Sequence, residues 1–386
     1  MKSLKMKPIN SEREQNEHFH EEPVRIGMNA GTPETKRDIM SMTREELKEF
    51  VVSLGEKAFR AEQLFIWMHK GAPYEEMSNL PASFIAKLRE AAEYRLPVIE
   101  KKLVSREDGT IKYLMSHVDG ECVESVFMRY EHGNTLCISS QAGCRMGCKF
   151  CASTLNGRVR NLTPSEILGQ AAAASHDTGE RVDGIVMMGI GEPLDNYDNV
   201  IRFLHLVSDE KGLGIGLRHI SLSTCGVVPG IYALAKEGLP VTLSVSLHAS
   251  KDEVRSELMP INRKYPIAEL LAACRHYFRE TGRRVSFEYT LIEGKNDGEA
   301  DAVSLAKVIR NGMRCPCHVN LIMLNEVKET GLRSAGRKNA VRFAEVLKQN
   351  GVNATIRRKL GSDIEASCGQ LRLREKGMDR GTADGE

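Results

Sequence analysis

From residue 136 onward the sequence alternates between two patterns that together dictate a fold class. Apolar, β-branched runs at 136–140, 184–190, 219–224, 241–247, 285–292 and 319–324 are separated by helical stretches near 163–176, 196–209, 230–237, 267–281, 299–311 and 334–350. Strands joined through helices form βαβ units around a parallel sheet, so the chain is predicted to be α/β. Periodicity does not separate an open doubly wound sheet from a barrel. In both, functional side chains belong at the carboxyl ends of the strands.

The first 135 residues read differently. Residues 1–36 are polar and mixed in charge, the composition of a flexible tail, and His18 and His20 there make a poor metal site. Residues 37–95 predict a compact helical accessory domain. Thr43-Arg-Glu-Glu has the capping-box form, Leu47, Phe50, Val51 and Leu54 follow at helical spacing, and further periodic stretches contain Phe59 to Met68 and Phe84 to Leu88. Trp67 reads as a core anchor rather than a base-stacking platform. Residues 96–135 form a linker with two strand-like runs, 111–117 and 122–130, joined by the hairpin signal Asp119-Gly120. The core spans 136–358, and 359–386 form a carboxyl-terminal loop and tail.

Lys and Arg number 54 against 52 Asp and Glu, a net charge of +2, so any nucleic-acid surface must be a local patch. The amino terminus lacks the apolar region of a signal peptide, and no apolar run approaches the roughly 20 residues that span a bilayer. A cytoplasmic protein without a membrane partner is expected. Ten cysteines are too few and too uneven for a disulfide scaffold.

Three of them form C-x3-C-x2-C, Cys144, Cys148 and Cys151, directly after the first core run. Three thiolates on one short loop can hold three irons of a [4Fe–4S] cube and leave the fourth without a protein ligand. Gly143 and Gly147 let the backbone fold around so bulky a group. A structural zinc site normally closes with four protein ligands, and no fourth Cys or His follows at finger-like spacing. An open iron can chelate the amino and carboxylate groups of S-adenosylmethionine, whose sulfonium an electron then cleaves. At the end of the second run stands Met187-Met-Gly-Ile-Gly191-Glu-Pro-Leu194, which lacks the third glycine of a dinucleotide fingerprint.

The cysteine spacing, with Phe150 before the last cysteine, and the Gly191-Glu192-Pro193 segment resemble the radical S-adenosylmethionine superfamily. The resemblance implies a partial (βα)6 barrel, here with a small helical N-terminal domain and an intervening β-hairpin. It also implies a [4Fe–4S] cluster on Cys144, Cys148 and Cys151. The flanks narrow it. Residues 137–162, Leu222-Ser-Thr-Cys-Gly-Val-Val-Pro229, Ser246-Leu-His-Ala249 and Asp363-Ile-Glu-Ala-Ser-Cys368-Gly-Gln-Leu371 look like the bacterial RNA adenine C2-methyltransferase family. Phe59-Arg-Ala-Glu-Gln-Leu-Phe-Ile-Trp67 resembles its helical domain, and the likeness runs from about 40 to 372. The departures, Ile190, Cys225 and Asn156, touch no expected ligand. A sister family acting at C8 shares the cysteines, but Ala152-Ser-Thr and Pro193 favour C2.

The family likeness puts S-adenosylmethionine, two per turnover, on Gly191, Glu192, Ser223, Ser246, Leu247, His248 and Asn325. On its own residues, His248 reads equally well as a satisfied core histidine. The likeness makes Cys368 an S-methylcysteine intermediate: one S-adenosylmethionine methylates its thiol, and a radical from a second takes hydrogen from that methyl. The resulting carbon radical adds to C2, Glu124 accepts the C2 proton, and Cys137 releases the product through a transient disulfide with Cys368. Without the likeness, Cys368 is an ordinary thiol and Glu124 an exposed strand carboxylate.

The implied substrates are adenosine 2503 of 23S rRNA and adenosine 37 of tRNAs. The implied reductant is an electron donor such as flavodoxin or ferredoxin, and the protein is expected to be a monomer. A radical enzyme acting on a small molecule or at C8, and a non-catalytic iron–sulfur or zinc module, are the competing classes. Small-molecule radical enzymes need no cysteine pair. Arg145, Lys149, Arg158 and Arg160 around the cluster loop and Arg357-Arg358-Lys359 before the Cys368 tail are expected to track phosphates. Cys122, Cys274, Cys315 and Cys317 receive no role.

Overall fold

The computed structural model describes residues 36–326, 328–364 and 371. The expected tail before Lys36 and the Cys368 segment lie outside the described residues.

Helices α1 (Arg44–Ser53), α2 (Phe59–His69) and α3 (Ala82–Ala91) open the chain. The capping box closes as expected: the Glu46 N–H donates to Thr43 Oγ1 at 3.3 Å, and the Thr43 N–H donates to the Glu46 carboxylate at 2.8 Å. Leu47, Phe50, Leu64, Phe65, Phe84 and Leu88 are buried. Trp67 packs half-buried on this core and donates its indole N–H to Asn79 Oδ1 at 2.6 Å.

Ten strands form one sheet: β1 (Val98–Val104), β2 (Ile111–Ser116), β3 (Cys122–Tyr130), β4 (Gly133–Cys137), β5 (Gly184–Met187), β6 (Ile220–Thr224), β7 (Thr242–Ser246), β8 (Val285–Leu291), β9 (Cys317–Met323) and β10 (Ala354–Ile356). Their order in the sheet is their order in the chain. β1 to β4 pair antiparallel, and β4 to β10 pair parallel. A doubly wound sheet reverses its strand order at a switch point, and this one never reverses. Crossovers of one hand then put every helix on one face and let the bare face curl inward, the layout of a partial barrel. Among the described residues the edge strands β1 and β10 do not pair, so the sheet is open.

The outer layer comprises α4 (Pro164–Thr178), α5 (Tyr197–Val207), α6 (Val228–Lys236), α8 (Ile267–Thr281), α9 (Glu299–Met313) and α10 (Arg337–Gln349), whereas α7 (Asp252–Leu258) packs on the cysteine loop, Leu258 beside Cys148 and its carbonyl accepting the Lys149 N–H at 2.9 Å. The six expected parallel strands are present, with the short β10 as a seventh. Other elements also escaped the sequence reading, α7 and β1 among them. α7 is only seven residues long. β1 is an exposed edge strand whose Glu100-Lys101-Lys102 hides the apolar period. The expected hairpin is therefore part of an antiparallel wing continuous with the core sheet, not a separate linker.

Strand alternation divides the parallel sheet into two faces. Leu243, Val245, Phe287, Tyr289, Val319 and Leu321 pack into the helix-covered core. The opposite face carries Ser221, Ser244, Glu288, Asn320 and Thr355, linked sideways by hydrogen bonds of 2.9–3.1 Å. That polar face is where a site can form.

Candidate active site

The cysteine loop springs from a short ribbon, Gln141–Gly143 paired with Arg158–Asn161. Gly143 has φ +86, and a Cβ there would lie 2.1 Å from the Gly157 carbonyl oxygen, so only glycine fits. Cys144, Cys148 and Cys151 line one cavity over the polar face. Burial pushes their thiols up, Cys144 to about 12, and neighbouring thiols of the loop add to the effect at Cys144 and Cys148. Among the described residues no three His, Cys, Asp or Glu side chains close on a single ion, the arrangement a mononuclear zinc site requires. A cubane instead takes each thiolate on a different iron, and its positive charge would restore the thiolate state. The donor set fits an iron–sulfur cluster.

The ends of β5, β6, β7 and β8 build the rest of this cavity. Gly191, at φ +110, lies against Gln141 and Ser140. Glu192 is buried, and its oxygens accept the Leu194 N–H at 3.0 Å and the Cys225 N–H at 2.6 Å, which ties the β5 loop to the β6 loop. Burial raises its pKa. The Cys225 and Thr224 side chains also hydrogen-bond to this carboxylate, which fixes it at the cavity wall.

Ser223, Ser246, His248, Glu288 and Thr290 line the same cavity. His248 takes a left-handed backbone, φ 54, and its Nδ1 accepts the Thr290 N–H at 2.9 Å. Burial lowers its pKa to about 3, so the ring is neutral with its proton on Nε2. The alternative readings of His248 merge: it is hydrogen-bonded in place and also faces the cavity. Glu288 accepts from Asn320 at 2.9 Å, while its Oε2 is buried with no hydrogen-bond partner. A buried carboxylate oxygen without a donor suits a hydroxyl or ammonium of S-adenosylmethionine.

Two expected contacts are displaced. Leu247 is wholly buried in the core, with its N–H on Glu288 O and its carbonyl accepting from Arg255. Asn325 lines an adjoining cavity with Cys137, Val126, Met128, Arg358 and Lys359. Met188, Ile322 and Arg357 line both cavities, so the two adjoin. Leu360 packs on Val126, Met128 and Cys137. The Gly361 N–H donates to Asp108, and Asp363 accepts from Ser105 Oγ and Arg106 N–H at 2.7 and 2.8 Å. These contacts anchor the base of the segment that carries Cys368 beside Cys137.

Glu124 is not exposed. It is 1 % accessible and ion-paired to Lys112 at 3.1 Å. The arginines of the cluster loop do not stand free for phosphate: Arg145 and Arg158 pair with Asp195, and Arg160 pairs with Asp119 and Glu166. Arg357, Arg358 and Lys359 line the open cavities.

Sequence reasoning missed Lys112, Arg255 and Glu288. Lys112 announces itself only as a charge on the apolar face of β2. Arg255 is fully buried and donates to the carbonyls of Cys225, Ser246 and Leu247 and to Asn262, which fixes the loops after β6 and β7. Nothing in its local sequence distinguishes it from a surface helix residue.

The sequence model described as the radical SAM superfamily matches residues 138–306, and that of the ribosomal RNA large subunit methyltransferase N-terminal domain matches 37–94. A protein of Clostridium botulinum (strain Eklund 17B / Type B), named "Probable dual-specificity RNA methyltransferase RlmN", is 50% identical over 337 residues, 87% of this chain and 96% of that protein. A Clostridium perfringens (strain 13 / Type A) protein of the same name is 50% identical over 347 residues, 89% of this chain and 99% of its own. The crystal structure of a radical SAM methyltransferase from Sphaerobacter thermophilus superposes with a TM-score of 0.82 at 41% identity, covering 86% of this chain and 98% of that one.

Proposed function

The chain belongs to the RlmN family of radical S-adenosylmethionine RNA methyltransferases, and from that premise we propose that it methylates C2 of adenosine 2503 in 23S rRNA and of adenosine 37 in tRNAs. Its cofactors are a [4Fe–4S] cluster and S-adenosylmethionine. The observation that carries the reading is the pair of adjoining cavities, one lined by the three thiols and the other by Cys137.

Cys144, Cys148 and Cys151 would hold the cluster, which supplies the electron that cleaves the sulfonium. Gly191, Glu192, Ser223, Ser246 and His248 would hold S-adenosylmethionine, with Glu288 Oε2 as an added acceptor. Leu247 contributes through its backbone, and Asn325 stands toward the second cavity. Cys368, outside the described residues, is the methyl carrier in this reading. The anchoring of residues 360–363 beside Cys137 supports it, because Cys368 follows Ile364 by only four residues, roughly 13 Å at full extension. Cys137 attacks the sulfur of Cys368 to free the product and leave a disulfide. Glu124 takes the C2 proton, and Arg357, Arg358 and Lys359 meet the RNA backbone.

No described helix is long and apolar enough to cross a membrane. A cytoplasmic monomer reduced by flavodoxin or ferredoxin completes the proposal. The test is anaerobic turnover on a 23S rRNA fragment and on tRNA, followed by nucleoside mass spectrometry. 2-Methyladenosine is expected from both; 8-methyladenosine or unmodified RNA overturns the assignment.

A further inference from the structure

Lys112 and Glu124 are each 1 % exposed, and Nζ lies 3.1 Å from Oε2. They sit on adjacent antiparallel strands, where Lys112 stands opposite Val126 and Glu124 opposite Leu114, a diagonal pair on one face. Val126 also stands opposite Cys137, so the pair belongs to the face that builds the second cavity. Taking two charges out of water costs several kcal/mol per ion, and apolar residues of similar size often do as well or better. Leu114, Val126 and Met128 on the same face show that this part of the sheet accepts apolar side chains readily. The retained pair therefore calls for a chemical reason.

We propose that Lys112 is the positioning residue of the proton-accepting carboxylate: its ammonium, 3.1 Å from Oε2, holds Glu124 aimed at the C2 proton of the bound adenine. The inference rests on the role given to Glu124 above. In the step concerned, the C2–H bond breaks, its electron pair stays on the adenine ring and the proton moves to Glu124. Lys112, on the neighbouring strand, is the cation paired with Glu124. Removing one partner of a buried pair leaves the other uncompensated and no longer held in place.

The test uses the full-length holoenzyme with RNA carrying either normal or C2-deuterated adenosine. Lys112→Met should keep its iron and its S-adenosylmethionine cleavage but accumulate the covalent protein–RNA adduct. Its methylation rate should fall by at least ~10²-fold, the lower range for loss of a positioned base. A primary deuterium isotope effect absent from the wild type should appear, because proton removal becomes the slow step. Lys112→Arg keeps the charge and should restore most of the rate.

A merely structural lysine would lower the yield without moving the isotope effect, and that result overturns the proposal. Lys112→Met/Glu124→Gln leaves no orphan carboxylate to disturb folding. It should be no slower than Glu124→Gln alone, and a further ~10-fold loss would show that Lys112 acts elsewhere. Glu124→Gln with wild-type turnover removes the parent reading. Glu124→Gln that stalls beside a fully active Lys112→Met removes this inference alone.

Discussion

Gly191→Ala probes how tightly the cofactor wall is tied to the cluster ribbon. At φ +110 a side chain is already strained, at a cost of about 1–3 kcal/mol. The new Cβ would also lie 2.7 Å from both Cβ and backbone N of Gln141 and 2.8 Å from Ser140 Oγ. No rotamer relieves a clash with backbone, so overpacking adds about 1–3 kcal/mol. The sum, about 2–6 kcal/mol, should appear as a lower urea midpoint at unchanged m-value. Gly238→Ala is the control: it too has positive φ, +67, but nothing lies within 4 Å of its Cβ, so about 1–2 kcal/mol is expected. The clash also pushes apart two loops joined by Glu192 N–H to Gln141 Oε1 at 2.9 Å and Gln141 N–H to Ile190 O at 3.2 Å. Affinity for S-adenosylmethionine, read by calorimetry on cluster-loaded protein, should therefore fall at least ~10-fold, or about 1.4 kcal/mol. Equal urea midpoints for the two variants would refute the packing argument, and unchanged affinity would refute the coupling.

Cys148→Ala should lose the brown colour, the about four irons per chain of one cubane, and all deoxyadenosine formation; full iron content would remove it from the ligand set. Cys137→Ala should bind cluster and S-adenosylmethionine, attack C2, and then accumulate a thioether-linked protein–RNA adduct on Cys368. Dithiothreitol should not break that adduct, and repeated turnover by the variant would rule out the two-cysteine release. Burial lowers the pKa of His69 to about 4 from the ordinary 6.5. Between those values the unfolded chain binds a proton that the fold excludes, so stability is fully present above pH 6.5 and falls on acidification toward pH 4. Urea midpoints at pH 7.5 and 5 should record that loss, and His69→Asn should shrink it; an unchanged slope would mean that other groups control it.

The cluster loop could be read from sequence because its ligands are close along the chain and its spacing is chemistry. The parallel strands could be read because burial on both sides enriches them in β-branched residues. What stayed hidden was produced by pairing between distant segments. Glu124 reads locally as an exposed strand carboxylate, and only the register of β2 against β3 brings Lys112 to it. Arg145, Arg158 and Arg160 read as a phosphate-binding cluster because their partners, Asp119, Glu166 and Asp195, lie on other elements. Leu247 sits inside a cofactor motif, yet strand alternation turns its side chain into the core between cavity-lining Ser246 and His248.

The antiparallel wing gives the fold a division of labour that the parallel strands alone lack. In the proposed reaction, radical generation would use the thiol loop and the strand ends of β5 to β8, on the parallel part. Methyl transfer and release would draw on Glu124 and Cys137, which stand on β3 and β4, where the sheet changes from antiparallel to parallel. The wing also supplies Ser105, Arg106 and Asp108, whose hydrogen bonds hold Gly361 and Asp363 at the root of the Cys368 segment. One continuous sheet thus fixes Glu124 and Cys137 and, through its antiparallel wing, holds residues 360–363, which the proposed reaction would use together. The mobile partner in the chemistry is then the RNA base, which must leave its stack to enter a site built on rigid strands.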